Sequence, residues 1–429
     1  MLLSAIVLVA WTPQAPRYPI GSRRAVQPLA QDRSVLVVGS INIDLFTKLD
    51  RDSLCIDGSP CDVSAFKGMT LPAESFAEQL RGKVVLRGPV AEQLRGMDPV
   101  SLIQAVDGPF VQKTGGKGAN AAAAAGQTAQ CEFIGNLGRA SSEANEALLA
   151  DLSRCGGVET ARCALLDGPT GTAYILQFED NDNAIVLVGG ANQCWPEPGA
   201  LMGSEESAGL REAIGGAAAL MLQREVPEYV NLAVAKHAAA VGTPVFMDVG
   251  GTDAALDAAL LPFLSVLAPN ESELTFISGV ETRGSDGKPK LGLVRDAVGE
   301  LKAQAAAAGN AAAEVLVTFG GEGSMYFGGE WERSAEAQAD GFLPHETRSG
   351  TFSLGTPDGR PRDTTGAGDC FRGSYVAARY VRGMSVSESM KWASAAASLA
   401  CETEGAMVSM PERGEIEKRV LGEMRVPPL

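Results

Sequence analysis

The sequence predicts an α/β fold built around a central, mostly parallel sheet, and three observations support this. Short apolar runs rich in β-branched residues recur along the chain, beginning with Val35-Leu36-Val37-Val38. Stretches of helical composition, such as Glu143 to Arg154, lie between these runs. Apolar residues make up 45% of the 429 residues and charged residues 21%, so the chain can bury a sizeable core. Strands separated by helices indicate βαβ units, in which neighbouring strands run parallel.

The predicted elements follow one another from Ser34 onward. The first apolar run ends at Gly39 and is typical of a parallel strand that is buried on both faces. Further strands are predicted at Cys131 to Ile134, Ala173 to Phe178, Ala219 to Leu222, Pro244 to Met247, Phe263 to Leu267 and Val315 to Phe319. Helices are predicted at Glu143 to Arg154, Glu228 to Ala240 and Leu293 to Ala308. Ligands of such sheets bind beyond the carboxyl ends of the strands, where the functional motifs should therefore lie.

Three regions depart from this alternation. Residues 1–33 combine a short apolar run with an Arg-rich stretch, which predicts a targeting presequence or a disordered N-terminus. Residues 45–114 show no clear periodicity, predict an irregular insertion, and contain Ala-Glu-Gln-Leu-Arg-Gly twice, at 77–82 and 91–96. Residues 330–362 are polar and glycine-rich and predict a second insertion, a loop that could include a hairpin. Residues 34–429, with these insertions, are expected to form one domain.

Charge and rare residue types argue against several classes of function. The formal net charge of −16 disfavours nucleic acid and anionic membranes as partners, and no segment after residue 33 has transmembrane character. His237 and His345 share no motif, so a histidine triad or a histidine-rich metal site is not expected. The eight cysteines include no C-x-x-C pair, which indicates free thiols in a reducing compartment. Cys370 has no basic neighbour in sequence and is expected to pack rather than react.

The strongest chemical motif is Asp363-Thr-Thr-Gly-Ala-Gly-Asp369. Gly366 and Gly368 allow the backbone to approach a ligand closely. At a helix start, the N–H groups of Gly366, Ala367 and Gly368 have no intrahelical partner and attract negative charge. Asp369 lies in the first turn and can accept a proton. This combination suits transfer of a phosphoryl group to a hydroxyl, with Asp369 as the general base and the N–H groups as an anion hole.

Two further motifs precede it. The segment Gly115-Gly-Lys-Gly-Ala-Asn120 leads into an alanine-rich helix, and its spacing matches neither a P-loop nor a dinucleotide-binding turn. The segment Gly39-Ser-Ile-Asn-Ile-Asp44 places an amide and a carboxylate just beyond the first strand, where they suit the vicinal hydroxyls of a sugar. A helix-capping turn and a simple Asx-turn are the alternative, purely structural explanations of these two segments.

With these three motifs, the sequence resembles the ribokinase family of the PfkB carbohydrate kinases over roughly Ser34 to Arg419. The segments Met221-Leu-Gln-Arg-Glu-Val-Pro227, Pro269-Asn-Glu-Ser-Glu273 and Gly405-Ala-Met-Val-Ser-Met-Pro411 carry the resemblance further. It implies a three-layer α/β/α sandwich with a small β-sheet lid. It also implies ATP-dependent phosphorylation of D-ribose at its 5-hydroxyl, which supplies the pentose phosphate pathway and nucleotide synthesis.

The resemblance assigns roles to individual residues, with Asp369 as the base beside the anion hole. The residues implied at the sugar are Asn42, Asp44, Gly116, Lys117, Asn120, Glu225 and Asp369. Those implied at ATP are Asn270, Thr318, Gly320, Gly323, Gly368 and Ser394. Glu273 is implied to bear on Mg²⁺. An activating monovalent cation, usually K⁺, would lie at Asp363, Thr365, Ala400, Thr403, Gly405 and Ser409.

The resemblance also bears on partners and location. It implies ribose and ATP as ligands, a homodimer formed through the lid, and a cytoplasmic or nuclear protein. If residues 1–33 are a presequence, a plastid or another organelle is the alternative. The lid strands of the relatives lie between the first two motifs, where this chain carries residues 45–114. Two other functions stay open: a PfkB kinase for another sugar or a nucleoside, as in fructokinase or adenosine kinase, and a catalytically weak sugar-binding regulator.

Overall fold

The computed structural model describes ten stretches of the chain. They are residues 33–49, 53–56, 59–66, 69–83, 98–99, 106–107, 110–178, 183–252, 255–338 and 341–427. The predicted presequence, apart from its last residue, and the second copy of the repeated hexapeptide lie outside the described residues.

A nine-stranded sheet forms the centre of the fold. Seven neighbouring strands run parallel and the last two are antiparallel. Across the sheet the strands are Val158–Glu159, Cys131–Ile134, Val35–Val38, Ala219–Leu222, Val245–Met247, Val266–Leu267, Glu314–Thr318, Ser324–Phe327 and Glu346–Ser349. The predicted α/β class with a mostly parallel sheet is confirmed.

Helices cover both faces of this sheet because its strands are apolar on both sides. Val35 and Val37 pack into one core, whereas Leu36 and Val38 pack into the other. The first face carries Lys117–Thr128, Ser142–Arg154, Ala367–Val376, Val386–Ala400 and Arg413–Val420. The opposite face carries Ala208–Gly216, Glu228–Val241, Glu271–Ser278 and Leu291–Ala307. The three expected layers are therefore present.

Small side chains bring two of the helices on the first face unusually close together. Lys117–Thr128 is almost entirely glycine and alanine along its buried side. On the facing helix, Ala367–Val376, a Cβ at Gly373 would overlap the carbonyl group of Ala121. This close contact allows side chains at the starts of the two helices to meet.

A second, five-stranded sheet projects from the carboxyl edge of the central sheet, and we call it the lid sheet. Its strands, in spatial order, are Thr70–Pro72, Asn183–Val188, Gly171–Gln177, Asn42–Lys48 and Val111–Gly115. The strand predicted at Ala173 to Phe178 is therefore real but belongs to the lid sheet, so its assignment to the βαβ series was wrong. Both of its faces are buried, and for that reason its sequence is indistinguishable from a central parallel strand.

Residues 45–114 are more regular than the sequence indicated. They contribute strand Thr70–Pro72, helix Ala73–Lys83 and a three-stranded sheet of Ser53–Ile56, Ser59–Asp62 and Val106–Asp107. Residues 63–66 and 73–77, which we call the lid cover, pack on the outer face of the lid sheet. The tilted rings of Phe66 and Phe76 contact each other at 4.9 Å between centroids and bury Tyr174 and Leu176 of the lid sheet.

The second irregular region, 330–362, closes one edge of the central sheet. Its strand Glu346–Ser349 forms the antiparallel edge, and Thr351–Phe352 pairs with Met424–Arg425 near the end of the chain. Within the described stretches of the chain, none of the helices has the length and apolar character needed to cross a membrane.

Candidate active site

Asp369 lies in the first turn of its helix and is held by side chains of the neighbouring helix. Asn120 Nδ2 donates to Asp369 Oδ2 at 2.9 Å, and Lys117 Nζ lies 3.3 Å from Asp369 Oδ1. The Asp369 side chain is 8% exposed. The close approach of the two helices therefore brings the segments Gly115–Asn120 and Asp363–Asp369 together around one carboxylate.

The Lys117 ammonium group lies between two carboxylates rather than at an isolated sugar position. Its Nζ is 3.3 Å from Asp248 Oδ2 as well as from Asp369. Burial alone would lower the pKa of Lys117, but the charges of Asp248 and Asp369 raise it above the ordinary lysine value. Lys117 therefore stays positively charged. It connects Asp369 to Asp248, which follows the central strand Val245–Met247.

The sugar-side residues converge on Glu225, which follows the strand Ala219–Leu222. Its Oε2 accepts hydrogen bonds from Ser40 Oγ at 2.6 Å, from Asn42 Nδ2 at 3.1 Å and from the Lys117 backbone N–H at 3.1 Å. Burial raises the pKa of Glu225, while the bond from Ser40 and the charge of Lys117 oppose this shift. Glu225 thus joins the segments Gly39–Asp44 and Gly115–Asn120.

Asp44 lies on the strand Asn42–Lys48 of the lid sheet, next to the site. It is 4% exposed, and its Oδ1 is a buried acceptor without a hydrogen-bond partner among the described residues. A Cβ on Gly115 would overlap its carboxylate, which explains the need for glycine beside it. Burial, together with the charges of Glu225 and Asp369, raises the pKa of Asp44 well above its ordinary value. Such a carboxylate is poised to accept hydrogen bonds from a ligand.

Gly116, the last of the residues expected at the sugar, supplies geometry rather than a side chain. Its φ of 95° lies in the left-handed region, immediately before the helix Lys117–Thr128. A Cβ there would lie 2.7 Å from the backbone nitrogen of Asn42. The two motifs therefore touch through backbone at this point, and only glycine fits.

All six residues expected at ATP line one cavity of about 460 Å³. Ala367 and Gly368 line the cavity at the start of the Asp369 helix, and its apolar lining includes Phe352, Leu354 and Ala397. The expected residues in the lining are Asn270, Thr318, Gly320, Gly323, Gly368 and Ser394. Polar and apolar groups in one cavity suit a nucleotide, whose phosphates would lie at the helix start.

Asn270 and Glu273 also have a structural role, because they cap the helix Glu271–Ser278. Asn270 Oδ1 accepts the Glu273 N–H at 2.8 Å, and Glu273 Oε2 accepts the Asn270 N–H at 2.8 Å. This capping box fixes both side chains at the carboxyl end of strand Val266–Leu267. A capping function and a ligand-binding function are therefore compatible here.

The turn before the Asp369 helix has the geometry expected of an anion-binding helix start. Gly366 adopts a left-handed φ of 76° and precedes the first helical residue, Ala367. The Ala367 N–H donates to Thr364 O at a long 3.2 Å, a bond that a phosphate oxygen could replace. Cys370 is fully buried and burial raises its thiol pKa, in agreement with packing rather than reactivity.

Asp363 joins the two segments expected to hold a monovalent cation. Its Oδ1 accepts the Thr365 N–H at 2.9 Å, and its Oδ2 accepts the Gly405 N–H at 2.9 Å. Lys113 of the lid sheet lies 3.9 Å from the same Oδ2. The other expected residues are further along the second segment, where Thr403 N–H donates to Ala400 O and Ser409 Oγ donates to Ala406 O.

Several site residues were missed from the sequence. Asp248 directly follows strand Val245–Met247, the same strand-end signal that identified Asp44, and could have been found in that way. Arg372 lies three residues after Asp369, on the same side of the helix. Asn192, whose side chain bonds Ile41 N–H and Asn42 Oδ1, had no sequence signal at all.

Comparisons with known proteins identify relatives among the carbohydrate kinases. The profile of the pfkB family carbohydrate kinases matches residues 103–413. Arabidopsis thaliana ribokinase is 32% identical over 309 residues, which cover 71% of each chain. Bacillus subtilis ribokinase is 28% identical over 311 residues, or 72% of this chain and 88% of that protein. A solved structure of the Arabidopsis thaliana ribokinase complexed with ribose and ATP superposes with a TM-score of 0.64 at 27% identity, covering 91% of this chain and 99% of that one.

The fold, the helix-start motif and these matches define the class of the protein. The chain belongs to the pfkB family of carbohydrate kinases. The family resemblance noted in the sequence is thereby confirmed.

Proposed function

We propose that this protein is an ATP-dependent kinase that phosphorylates D-ribose at its 5-hydroxyl. The observation that carries the proposal is a pair of buried acceptors without partners among the described residues, Asp44 Oδ1 and Asn120 Oδ1. Leaving such atoms unpaired is costly, and the hydroxyls of a sugar would satisfy them. Asn120 at the same time holds Asp369, so a sugar at this position has a base next to it. The similarity to two ribokinases favours ribose among the sugars.

In the proposed reaction, a carboxylate oxygen of Asp369 accepts the proton of the 5-hydroxyl. The hydroxyl oxygen forms a bond to the γ-phosphorus of ATP, and the bond from this phosphorus to the bridging oxygen breaks, releasing ADP. The N–H groups of Gly366, Ala367 and Gly368 would hold the charge of the transferred group. A positioned base typically contributes about 10²–10⁴-fold. Most of the acceleration must therefore come from positioning and from charge stabilisation.

Glu273, whose partners Asn270 and Arg372 line the cavity, fits a magnesium ion, which takes oxygen ligands and is usually bound by one or two carboxylates together with phosphates. Its Oε2 is engaged by Asn270 N–H and Arg372, which leaves Oε1 for another ligand. A Cβ on Gly250 would overlap this Oε1, so a glycine is needed there for the carboxylate to fit. We assign Glu273 to Mg²⁺ on these grounds. When bound, the ion would neutralise charge on the phosphates.

A potassium site is proposed at the segments that Asp363 joins. Their backbone turns back near Thr365 and Gly405, and carbonyl oxygens of such turns are suitable ligands for a monovalent cation. The residues assigned to it are those that the resemblance implied, from Asp363 to Ser409. A cation there would stabilise the turn that precedes the Asp369 helix.

A homodimer through the lid remains a proposal, and the lid cover limits how it could form. The outer face of the lid sheet is already packed against residues of the same chain. A second copy would therefore have to use another part of the lid, such as the edge strand Val111–Gly115, where Val111 is 57% exposed. A cytoplasmic location, or an organelle reached through residues 1–33, is likewise proposed.

Turnover of ATP by the full chain, measured in a coupled assay with Mg²⁺, tests the function. We expect turnover that depends on D-ribose, is stimulated by K⁺, and exceeds that with fructose or adenosine. Faster turnover with another acceptor would replace ribose by that acceptor. Ribose binding without turnover in any cation would instead identify a sugar-binding regulator.

A further inference from the structure

Arg372 is a buried cation at the phosphate end of the nucleotide cavity that the reaction described above does not use. Its side chain is 3% exposed and lines the cavity together with Gly368. A Cβ placed on Gly368 would lie 2.9 Å from its Nη1. The guanidinium group therefore adjoins the helix start at which the transferred phosphate is proposed to bind.

Three acceptors fix the guanidinium group. Two of them directly follow neighbouring central strands, and the third lies in the first turn of the helix Glu271–Ser278. Its Nε donates to Ala268 O at 3.0 Å, its Nη2 donates to Glu273 Oε2 at 3.2 Å, and its Nη1 lies 3.4 Å from Asp248 Oδ2. The planar fork of arginine can satisfy acceptors in three directions, whereas a lysine presents a single point charge. The residue thus clamps Glu273 and Asp248 to each other and to the backbone.

The charges around this clamp require such a counter-ion. Burial raises the pKa of Glu273, and Arg372 opposes that shift. Burial also acts against ionised Asp248, but the charges of Arg372 and Lys117 lower its pKa below the ordinary value. Asp369 adds a third carboxylate, which Lys117 contacts. Without Arg372, Lys117 alone would face three buried carboxylates at the point where an anionic nucleotide must bind.

We propose that Arg372 is a positioning residue for phosphoryl transfer, which holds the Glu273 and Asp248 side chains in a fixed orientation beside Gly368. This inference rests on the proposed kinase function. By engaging Oε2 of Glu273, Arg372 leaves Oε1 to the metal, and its positive charge offsets the carboxylates that would otherwise repel the phosphates. Residues that orient metal-binding side chains in this way typically affect activity by about 10- to 100-fold.

The test compares Arg372→Met with Arg295→Met in the full chain. Arg295 is a matched control because it makes a bidentate ion pair with the buried Glu346, at 2.8 and 2.6 Å, without belonging to the active site. For each variant we would measure urea unfolding, ribose binding by calorimetry, and kcat and KM for ribose and for ATP. The wild-type protein in the same assay first establishes that ribose is phosphorylated, so failure of the proposed function is seen separately.

For Arg372→Met we expect kcat to fall by about 10- to 100-fold with ribose affinity unchanged. Arg372→Lys should restore part of kcat, because it keeps the charge without the planar fork. Arg295→Met should keep the wild-type kcat per folded molecule.

A wild-type kcat in Arg372→Met would overturn the proposal. It would also be overturned if Arg372→Met lost activity only in proportion to its folded fraction, as the control does. Should Arg372→Met fail to fold, Arg372→Lys decides: a kcat equal to that of the wild type would show that the fork has no positioning role.

Discussion

Asn120 Nδ2 lies 2.9 Å from Asp369 Oδ2, although the two residues are 249 positions apart in the chain. The hydrogen bond joins the starts of two helices that small residues allow to pack closely. It fixes one carboxylate oxygen of Asp369, while Lys117 lies beside the other. The orientation of the Asp369 carboxylate therefore depends on the segment Gly115–Asn120 as much as on the segment Asp363–Asp369.

Replacing Asp369 with asparagine tests the base. Asp369→Asn keeps the size of the side chain but removes the proton acceptor, so we expect kcat to fall by about 10²–10⁴-fold. Binding of ribose and ATP, followed by calorimetry, should change little. Near-normal turnover in this variant would remove Asp369 from the role of base.

Asp44 should impose a pH dependence on sugar binding. Its pKa is raised, chiefly by burial, so protonation begins at a higher pH than for an ordinary carboxylate. Protonation removes an acceptor, and we therefore expect the KM for ribose to rise as the pH falls through this raised pKa. Asp44→Ala should raise the KM about 10-fold or more above this pKa, as expected for a lost hydrogen bond to a charged group. The difference from the wild type should shrink at lower pH, where wild-type Asp44 is protonated. The KM for ATP serves as the internal control.

The pH dependence of the ribose KM in Asp44→Ala is a second test of the role of Asp44. In Asp44→Ala the acid-side increase in the KM for ribose should disappear, because the titrating group is gone. A ribose KM that stays at the wild-type value would mean that the sugar binds elsewhere.

Lys117→Met should destabilise the fold as well as reduce turnover. The change leaves Asp248 and Asp369, both largely buried, without the ammonium group 3.3 Å from each. Removing one partner of a buried ion pair typically costs about 3–5 kcal/mol of unfolding free energy. Urea unfolding at neutral pH measures the loss. A smaller difference from the wild type at low pH, where Asp248 loses its charge, would support this cause. An unchanged urea midpoint at neutral pH would contradict it.

Phe76→Ala should loosen the lid without affecting the central domain. Phe76 is 1% exposed between Phe66 and the lid sheet, and truncating a buried phenylalanine costs about 3–5 kcal/mol. We expect faster amide exchange in the strand Gly171–Gln177 and unchanged exchange in Ala219–Leu222. Leu421→Ala, at a position 87% exposed, is the control and should change neither strand. If amide exchange in the strand Gly171–Gln177 is as slow in Phe76→Ala as in the wild type, the lid cover does not stabilise this strand.

Sequence patterns predicted the elements of the central sheet well because each was a short apolar run between helices. Val35–Val38 and Ala219–Leu222 were identified to the residue. The lid sheet was not separated from the central sheet, because the strand Gly171–Gln177 is buried on both faces by the site and by the lid cover. Residues 45–114 looked irregular because their helix and strand derive stability from packing on the lid rather than from a periodic pattern.

The candidate site was predicted to the extent that its residues occur in compact motifs. Asn42, Asp44, Asn120 and Asp369 were found because glycines mark the turns around them. Arg372 was not, because its importance arises from contacts 99 and more positions away that no local pattern encodes. A charged residue one helical turn from a base is nevertheless a signal that could be used in other chains.

Asp44 and Asp369 belong to different parts of the molecule, one to the lid sheet and the other to a helix on the central sheet. A sugar bound as proposed would contact both residues and so bridge the two parts beside the nucleotide. A water molecule at Asp369 would offer no comparable bridge to the lid sheet. A sugar site divided between two sheets would in this way link consumption of ATP to the presence of the sugar and disfavour hydrolysis.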